Sequence, residues 1–497
     1  MSELIFTRSR SGRIAKSQWI ETQNKALATI PASMLRENKP SLAEMSELEV
    51  VRHYTRLSQL NFAIDTNFYP LGSCTMKYNP RVAHFLASLP GFSKRHPYHS
   101  IAKSQGFLSC LYELQEVLKE LTGMAACSLS PMAGAQGEFV GLAMIKAYHQ
   151  SNGAWYRNEI IVPNAAHGTN SASAAMCGFK VVEVTADVEG NVDLSLLKNK
   201  VSQHTAGMML TNPSTFGIFE KQINQLAEII HQAGGLLYYD GANFNSILGR
   251  ARPHDMGFDV MHLNLHKTFA TPHGGGGPGS GPVLAGAKLA PFLPIPIVEK
   301  KNDRYYWAEI EERSQSIGRM SAFMGNVGVL LRAYVYIKML GREGMPRVAD
   351  YAVLNANYLM HKLQQVGFTL AFPKRQAAHE FLITLQPLKQ QYNITALDFA
   401  KRILDYGCYA PTIYFPLVVP ECMLIEPTET ESKQQLDDFV EIMSKILQEI
   451  KEDPQLLRQA PLKQVVGRLD EVKAAKELDV CWKLKVKESV DRPSYLL

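Results

Sequence analysis

No stretch of this 497-residue chain is apolar over the roughly 18 positions that a membrane-spanning helix requires, so no membrane role is expected. Its 7 cysteines, at positions 74, 110, 127, 177, 408, 422 and 481, include no CxxC pair. That scatter argues against a zinc site or a disulfide framework and fits a reduced, cytosolic protein. The formal charge of +5 is small for the length and is not gathered into a long basic block, which removes nucleic acid as the default partner. The opening, Met1 to Arg8, has no hydrophobic signal core. The expectation is a soluble, unprocessed, cytoplasmic chain, with Arg8, Arg10 and Arg13 leaving an organelle-targeting alternative open. A chain of this length exceeds one ordinary core, and two or three domains are expected.

What is present is an alternation of short apolar runs and helical patterns. Ser46-Glu47-Leu48-Glu49 has capping-box spacing ahead of a helix from Val50 to Leu60, inside a polar N-terminal segment. Leu108 to Thr122 and Gly134 to His149 carry helical spacing. Strands are predicted at Ile160 to Pro163, Val181 to Val184, Met208 to Thr211, Leu236 to Asp240 and Val260 to Leu265, with helical stretches between them at Ser171 to Met176 and Gln222 to Ala233. This rhythm predicts an α/β fold with a mostly parallel central sheet, in which ligands collect at the carboxyl ends of the strands. Beyond Arg319, a long helix from Val327 to Met339, strands near Phe368 to Ala371 and Phe381 to Leu385, and a helix from Ser432 to Lys451 predict a smaller α/β domain. The charged tail after Pro454 is expected to wrap a neighbouring chain.

Four strand ends carry chemically useful side chains. The last strand runs into His266 and Lys267, just before the glycines from Gly274 to Gly277. The others run into Ala166-His167-Gly168-Thr169-Asn170, into Asn212-Pro213-Ser214-Thr215, and into Asp240-Gly241-Ala242-Asn243. Each residue alone has an ordinary explanation: an Asp after a strand caps a turn, and a His beside Gly is commonly a loop residue. Together they supply what pyridoxal phosphate needs. Lys267 would be the Schiff-base lysine, Asp240 would keep the pyridine nitrogen protonated, His167 would stack on the ring, and Asn212 would donate to the phenolate oxygen. The phosphate needs backbone donors at a helix start. Ser130 to Glu138 provides small residues there, with Gly134 and Ala135 as the close-approach positions, although an ordinary turn and cap would look the same.

Competing motifs fail on local grounds. Gly274, Gly276 and Gly279 satisfy GxGxxG, yet Pro278 and Pro282 would break the helix that a dinucleotide fingerprint requires. Gly281 and Gly286 have phosphate-loop spacing, but Ala287-Lys288-Leu289 replaces the required Lys-Ser or Lys-Thr. His262 and His266 stand at a metal-ligand spacing for a helix, whereas their segment suits a strand and no Glu follows His262, so no metal is expected.

The segment Asn264 to Phe269 with Thr271 to Gly279 resembles the lysine segment of the glycine dehydrogenase (decarboxylating) family, and in particular the separate second subunit of its two-chain members. Tyr69 to Pro80, Ala166 to Asn170, Asp240 to Asn243, Ser316 to Arg319 and Ile425 to Glu429 also look like family signatures, in the family's order and over nearly the whole chain. Ser171, where the family usually has Pro, and Gln136, where many members have His, depart from the pattern beside cofactor contacts. Homologous first subunits resemble this fold but lack the lysine.

The resemblance implies a fold-type I, aspartate-aminotransferase-like enzyme. Its expected parts are an N-terminal helical arm (1–75), a large pyridoxal-phosphate domain (76–325), a small C-terminal α/β domain (326–450) and a tail (451–497). It implies decarboxylation of glycine, with the aminomethyl group passed to the lipoyl arm of H-protein, in a two-plus-two assembly with a first subunit. The implied cofactor contacts are Gly134, Ala135, Gln136, His167, Thr169, Asn212, Asp240, Asn243, His266 and Lys267. Ser73, Cys74, Thr75, Arg319 and His379 are candidates for substrate binding or site closure, against turn chemistry or structural pairing as the alternative. Another enzyme of the same fold (desulfurase, aminotransferase or amino-acid decarboxylase) and a catalytically silent partner subunit remain as other readings.

Overall fold

A computed structural model describes residues 3–13, 30–37, 40, 42–274, 277 and 279–479. Gly275, Gly276 and Pro278 of the glycine run, Cys481, and parts of the predicted arm and tail lie outside these residues.

The large sheet is built from β1 (Ala126–Ser128), β2 (Glu159–Pro163), β3 (Lys180–Val184), β4 (Thr205–Leu210), β5 (Leu236–Gly241), β6 (Val260–Leu263) and β7 (Val283–Ala285). Their order across the sheet is β1-β7-β6-β5-β4-β2-β3. Strands β2 to β6 run parallel, and β7 is antiparallel to both of its neighbours. The central strands are buried on both faces, which is why they read as continuous apolar runs rather than as alternating ones. The Gly134–Ser151 helix packs on this sheet through small residues. A Cβ on Gly141 would lie 2.2 Å from the Tyr238 ring of β5, and one on Gly137 would lie 2.8 Å from His262 of β6.

A hairpin of β8 (Ile297–Lys301) and β9 (Arg304–Ala308) precedes the Val327–Gln365 helix, which is broken at Gly341 (φ 63°). The second sheet comprises β10 (Thr369–Leu370), β11 (Phe381–Thr384), β12 (Thr412–Ile413) and β13 (Cys422–Ile425), all antiparallel, in the order β10-β11-β13-β12. Its own core joins Phe381 and Ile383 to Phe399 and Ile403 of the Ala396–Asp405 helix, and to Phe439 and Met443 of the Lys433–Glu452 helix.

The Glu47–Gln59 helix begins with the predicted capping box, Ser46 and Glu49 each satisfying the other's backbone N–H. From there the chain crosses to the second sheet, where Leu71 bridges Ile425 and the Gly72 N–H bonds the Leu424 carbonyl. Only glycine fits there, since a Cβ on residue 72 would meet Leu424 at 2.4 Å. This crossing carries Ser73 to Lys77 between the two sheets. No helix of the described residues is long and apolar enough to cross a membrane.

Candidate active site

Carboxyl ends of β2, β4, β5 and β6 converge on a cavity of about 210 Å³. From the large sheet it is lined by Gly134, Ala135, Glu138, His167, Thr169, Thr211, Pro213, Thr215, Asp240, Asn243, Asn264, His266 and Lys267. The crossing segment adds Ser73, and the approach to β11 adds His379 and Glu380. Ten of the residues expected around the cofactor and substrate therefore meet in one place: Ser73, Gly134, Ala135, His167, Thr169, Asp240, Asn243, His266, Lys267 and His379.

Lys267 sits in a turn closed by its own N–H on the Asn264 carbonyl, two residues earlier than a strand running to Leu265 would allow. Its Nζ donates to the Ser73 carbonyl at 2.6 Å. Asp240 is buried at the end of β5 and pairs in register with His262 of β6, whose Nε2 stands 3.6 Å from Asp240 Oδ1. Burial alone would raise the Asp240 carboxyl. His262, the Asn170 amide, the Ala242 N–H and Lys267 outweigh it, and the group is held below its ordinary value as an anion.

Beside Asp240 lies a carboxyl that sequence inspection passed over. Glu138 projects from the Gly134–Ser151 helix, and the Asn170 side-chain amide donates to Glu138 at 3.1 Å and to Asp240 at 3.0 Å. Burial, then the charge of Asp240, pushes Glu138 up to about 8. The two neighbouring carboxyls are pushed in opposite directions, Glu138 up and Asp240 down. The His262 ring is fixed by Tyr238 through a 2.6 Å bond at Nδ1. Glu138, Asp240 and His262 form one compact buried group, and His379, Glu380 and Glu426 form another. Amide and hydroxyl donors already occupy the carboxylates of both groups.

Several expected contacts lie elsewhere. Asn212 is buried but turned away: its Oδ1 accepts the Glu220 N–H and its Nδ2 faces Met256, while Thr211 and Pro213 on either side line the cavity. This is the ordinary alternation of an extended segment. Gln136 turns back to the Met132 N–H and the Met320 carbonyl. Arg319 is exposed and bound to Tyr98 and Glu309. Thr75 is buried behind the cavity on Glu426 and Asn243. Cys74 stands 3.7 Å from His273 Nδ1, and burial, only partly offset by Lys267, raises its thiol. A reactive thiolate needs the opposite environment.

The cavity suits a phosphorylated, aldehyde-bearing ring. The Gly134–Ser151 helix begins at its wall with no side-chain cap, so the first-turn N–H groups of Gly134 and Ala135 face it unspent. Thr211 Oγ1 and Asn264 Oδ1 line the cavity without hydrogen-bond partners, as do both ring nitrogens of buried His379. Such orphaned groups mark a place built for a polar ligand. Burial, with His273 and Lys267 nearby, lowers His266 to about 3, so its ring is neutral.

Two family models match parts of the chain. Residues 348–463 match "Glycine dehydrogenase, C-terminal domain" and residues 142–277 match "Aminotransferase class-V". Among solved structures, the chain is similar to glycine decarboxylase (P-protein) of the glycine cleavage system in inhibitor-bound form, with a TM-score of 0.72 and 21% identity, covering 86% of this chain and 95% of that one. It is also similar to cysteine desulfurase from Thermococcus onnurineus NA1, with a TM-score of 0.59 and 15% identity, covering 77% and 95%. Those two show the shared fold. Much nearer in sequence is the probable glycine dehydrogenase (decarboxylating) subunit 2 of Coxiella burnetii (strain CbuK_Q154), 64% identical over 486 residues, 98% of this chain and 99% of the relative. The protein of the same name from Legionella pneumophila (strain Lens) is 60% identical over 477 residues, 96% and 98% of the two chains. With agreement of this depth along both chains, the protein belongs to the glycine dehydrogenase (decarboxylating) subunit 2 family.

Proposed function

We propose that this chain is the pyridoxal-phosphate-bearing subunit that decarboxylates glycine and passes the remaining aminomethyl group to a lipoyl disulfide on H-protein, in partnership with a homologous first subunit. The observation that carries this reading is the meeting of Lys267, buried anionic Asp240 and the uncapped helix start at Gly134 in one cavity. When bound, pyridoxal phosphate supplies an aldehyde that bonds amines and a protonated ring that draws electrons from the bonds around the amine's carbon.

Each part of the chain then has a task. The first-turn N–H groups of Gly134 and Ala135 would hold the phosphate, and His167 at the rim would stack on the ring. Asp240 keeps a proton on the ring nitrogen, while Asn170 orients its carboxylate. Lys267, its Nζ fixed by the Ser73 carbonyl, would be the residue that holds the cofactor covalently. Ser73 and His379 line the side where a small amino acid would lie, and unpartnered His379 is the group on this chain best placed to bind its carboxylate. Among the described residues Lys267 is the only lysine or arginine on the cavity wall, and we infer that the partner subunit adds positive charge to the complete site. The raised Cys74 thiol disfavours the desulfurase alternative.

Glycine labelled separately at its two carbons tests the reading with the reconstituted pair of subunits and a lipoylated carrier. The carboxyl label should leave as carbon dioxide and the methylene label should become attached to carrier sulfur. Transfer of the amino group to an oxoacid instead would point to an aminotransferase.

A further inference from the structure

Glu380 and Glu426 meet for a topological reason. Phe381 pairs with Ile425 across β11 and β13, so the residue before the first and the residue after the second form the next cross-strand pair. Like charges set opposite one another destabilise a sheet, and here both side chains are buried, at 2% and 1% exposure. Oxygens of the two, with a nitrogen of His379, lie within 4.8 Å of one another. The ionisable groups facing the pair are Lys267, His379 and Cys74; the nearby buried Lys77 is already paired with Glu429 at 2.6 Å.

The two carboxyls are not equivalent. Glu426 accepts from the Thr75 hydroxyl at 2.6 Å and from the amides of Asn245 at 2.9 Å and Asn243 at 3.1 Å, a donor set that suits an ionised carboxylate. Glu380 takes only the Ser73 N–H, at 2.6 Å on Oε2; its Oε1 meets His379 Nε2 at 3.6 Å, and the residue lines the cavity. Ser73, at φ 64°, ties this acid to the reactive lysine, since its carbonyl accepts from Lys267 Nζ.

We propose that Glu380 and Glu426 share one proton, carried by Glu380, and that Glu380 is the acid that protonates the sulfur expelled during aminomethyl transfer. This rests on the function proposed above. In that reaction zwitterionic glycine loses its carboxyl group as carbon dioxide. The electron pair left behind forms a bond from its carbon to one sulfur of the cyclic disulfide, the S–S bond breaks, and the second sulfur departs with that bond's electrons. Carbon is oxidised, the disulfide is reduced, and one proton is consumed as the second sulfur becomes a thiol. Glu380 gives that proton and solvent restores it. Burial, then the charge of Glu426, holds Glu380 well above the usual carboxylate range, whereas at Glu426 the Thr75, Asn243 and Asn245 donors and Lys267 oppose the rise that burial causes.

Infrared difference spectroscopy of the full chain across a pH series tests the shared proton without depending on turnover. Wild type minus E380Q should show a protonated-carboxyl band at neutral pH, and in E426Q the Glu380 band should titrate at lower pH because the opposing charge is gone. With the reconstituted enzyme, E380Q should bind glycine as wild type does yet form thiol roughly 100-fold more slowly. The wild-type rate should fall as rising pH removes the proton, and the variant should lose that alkaline limb. A wild-type spectrum without the band, or E380Q with an unchanged rate and alkaline limb, overturns the proposal. Should E380Q not fold, the E426Q titration decides: a band that does not move overturns it. A reconstituted wild type that shows the band but never decarboxylates glycine would instead reject the function and leave the proton pair standing.

Discussion

Replacing Lys267 with alanine is expected to abolish covalent attachment of the cofactor and to lower glycine decarboxylation by on the order of 10⁴-fold or more. The size follows from position. Among the described residues Lys267 is the sole lysine on the cavity wall, so none of them can take over its bond to the cofactor. Stability should change little, because the lost native contact is one hydrogen bond to the Ser73 carbonyl, worth about 1 kcal/mol. Borohydride treatment followed by peptide mapping checks this: wild type should carry reduced cofactor on Lys267 and K267A should carry none. Label on another lysine would contradict the assignment.

Asp240→Asn is expected to leave the cofactor attached while slowing decarboxylation by about 10² to 10³-fold, the usual loss when a buried charge aimed at the reacting group is removed. The isosteric amide cannot hold a proton on the ring nitrogen. A second consequence follows at Glu138, whose carboxyl is raised to about 8 by burial and then by Asp240. With that charge gone the Glu138 carboxyl must titrate at lower pH, since an anion no longer opposes its ionisation. An infrared titration of D240N reads the shift, and an unmoved Glu138 would show that the charge of Asp240 does not act on it.

The parts of this site that were legible in the sequence are those that a strand end delivers. Asp240, His167 and Lys267 each follow a short apolar run, and a parallel sheet brings such ends together whatever the loops do. Asn212 also follows such a run, but the extended chain alternates its side chains, and Thr211 and Pro213 received the cavity-facing positions. Gln136 failed for the helical equivalent of that reason, because its side chain turns back to Met132 while Gly134 and Ala135 face the cavity.

Glu138 and Asn170 were not found because each sits inside a helix and has its partner on another element. A charged residue on an otherwise buried helix face was the available signal. Glu380 and Glu426 lie far apart along the chain and become neighbours only through the antiparallel register of β11 and β13, which local patterning does not reveal. For the fold, the parallel strands were recovered to within three residues of their ends, whereas three-residue β1 and β7 were missed, too short to show a period.

The most direct measurement is exchange of labelled bicarbonate into the carboxyl group of glycine by this chain together with its first subunit and a lipoylated carrier. The account predicts rapid incorporation that requires pyridoxal phosphate, depends on the carrier, and disappears in K267A. A correctly assembled, cofactor-loaded pair of subunits that incorporates no label would contradict it.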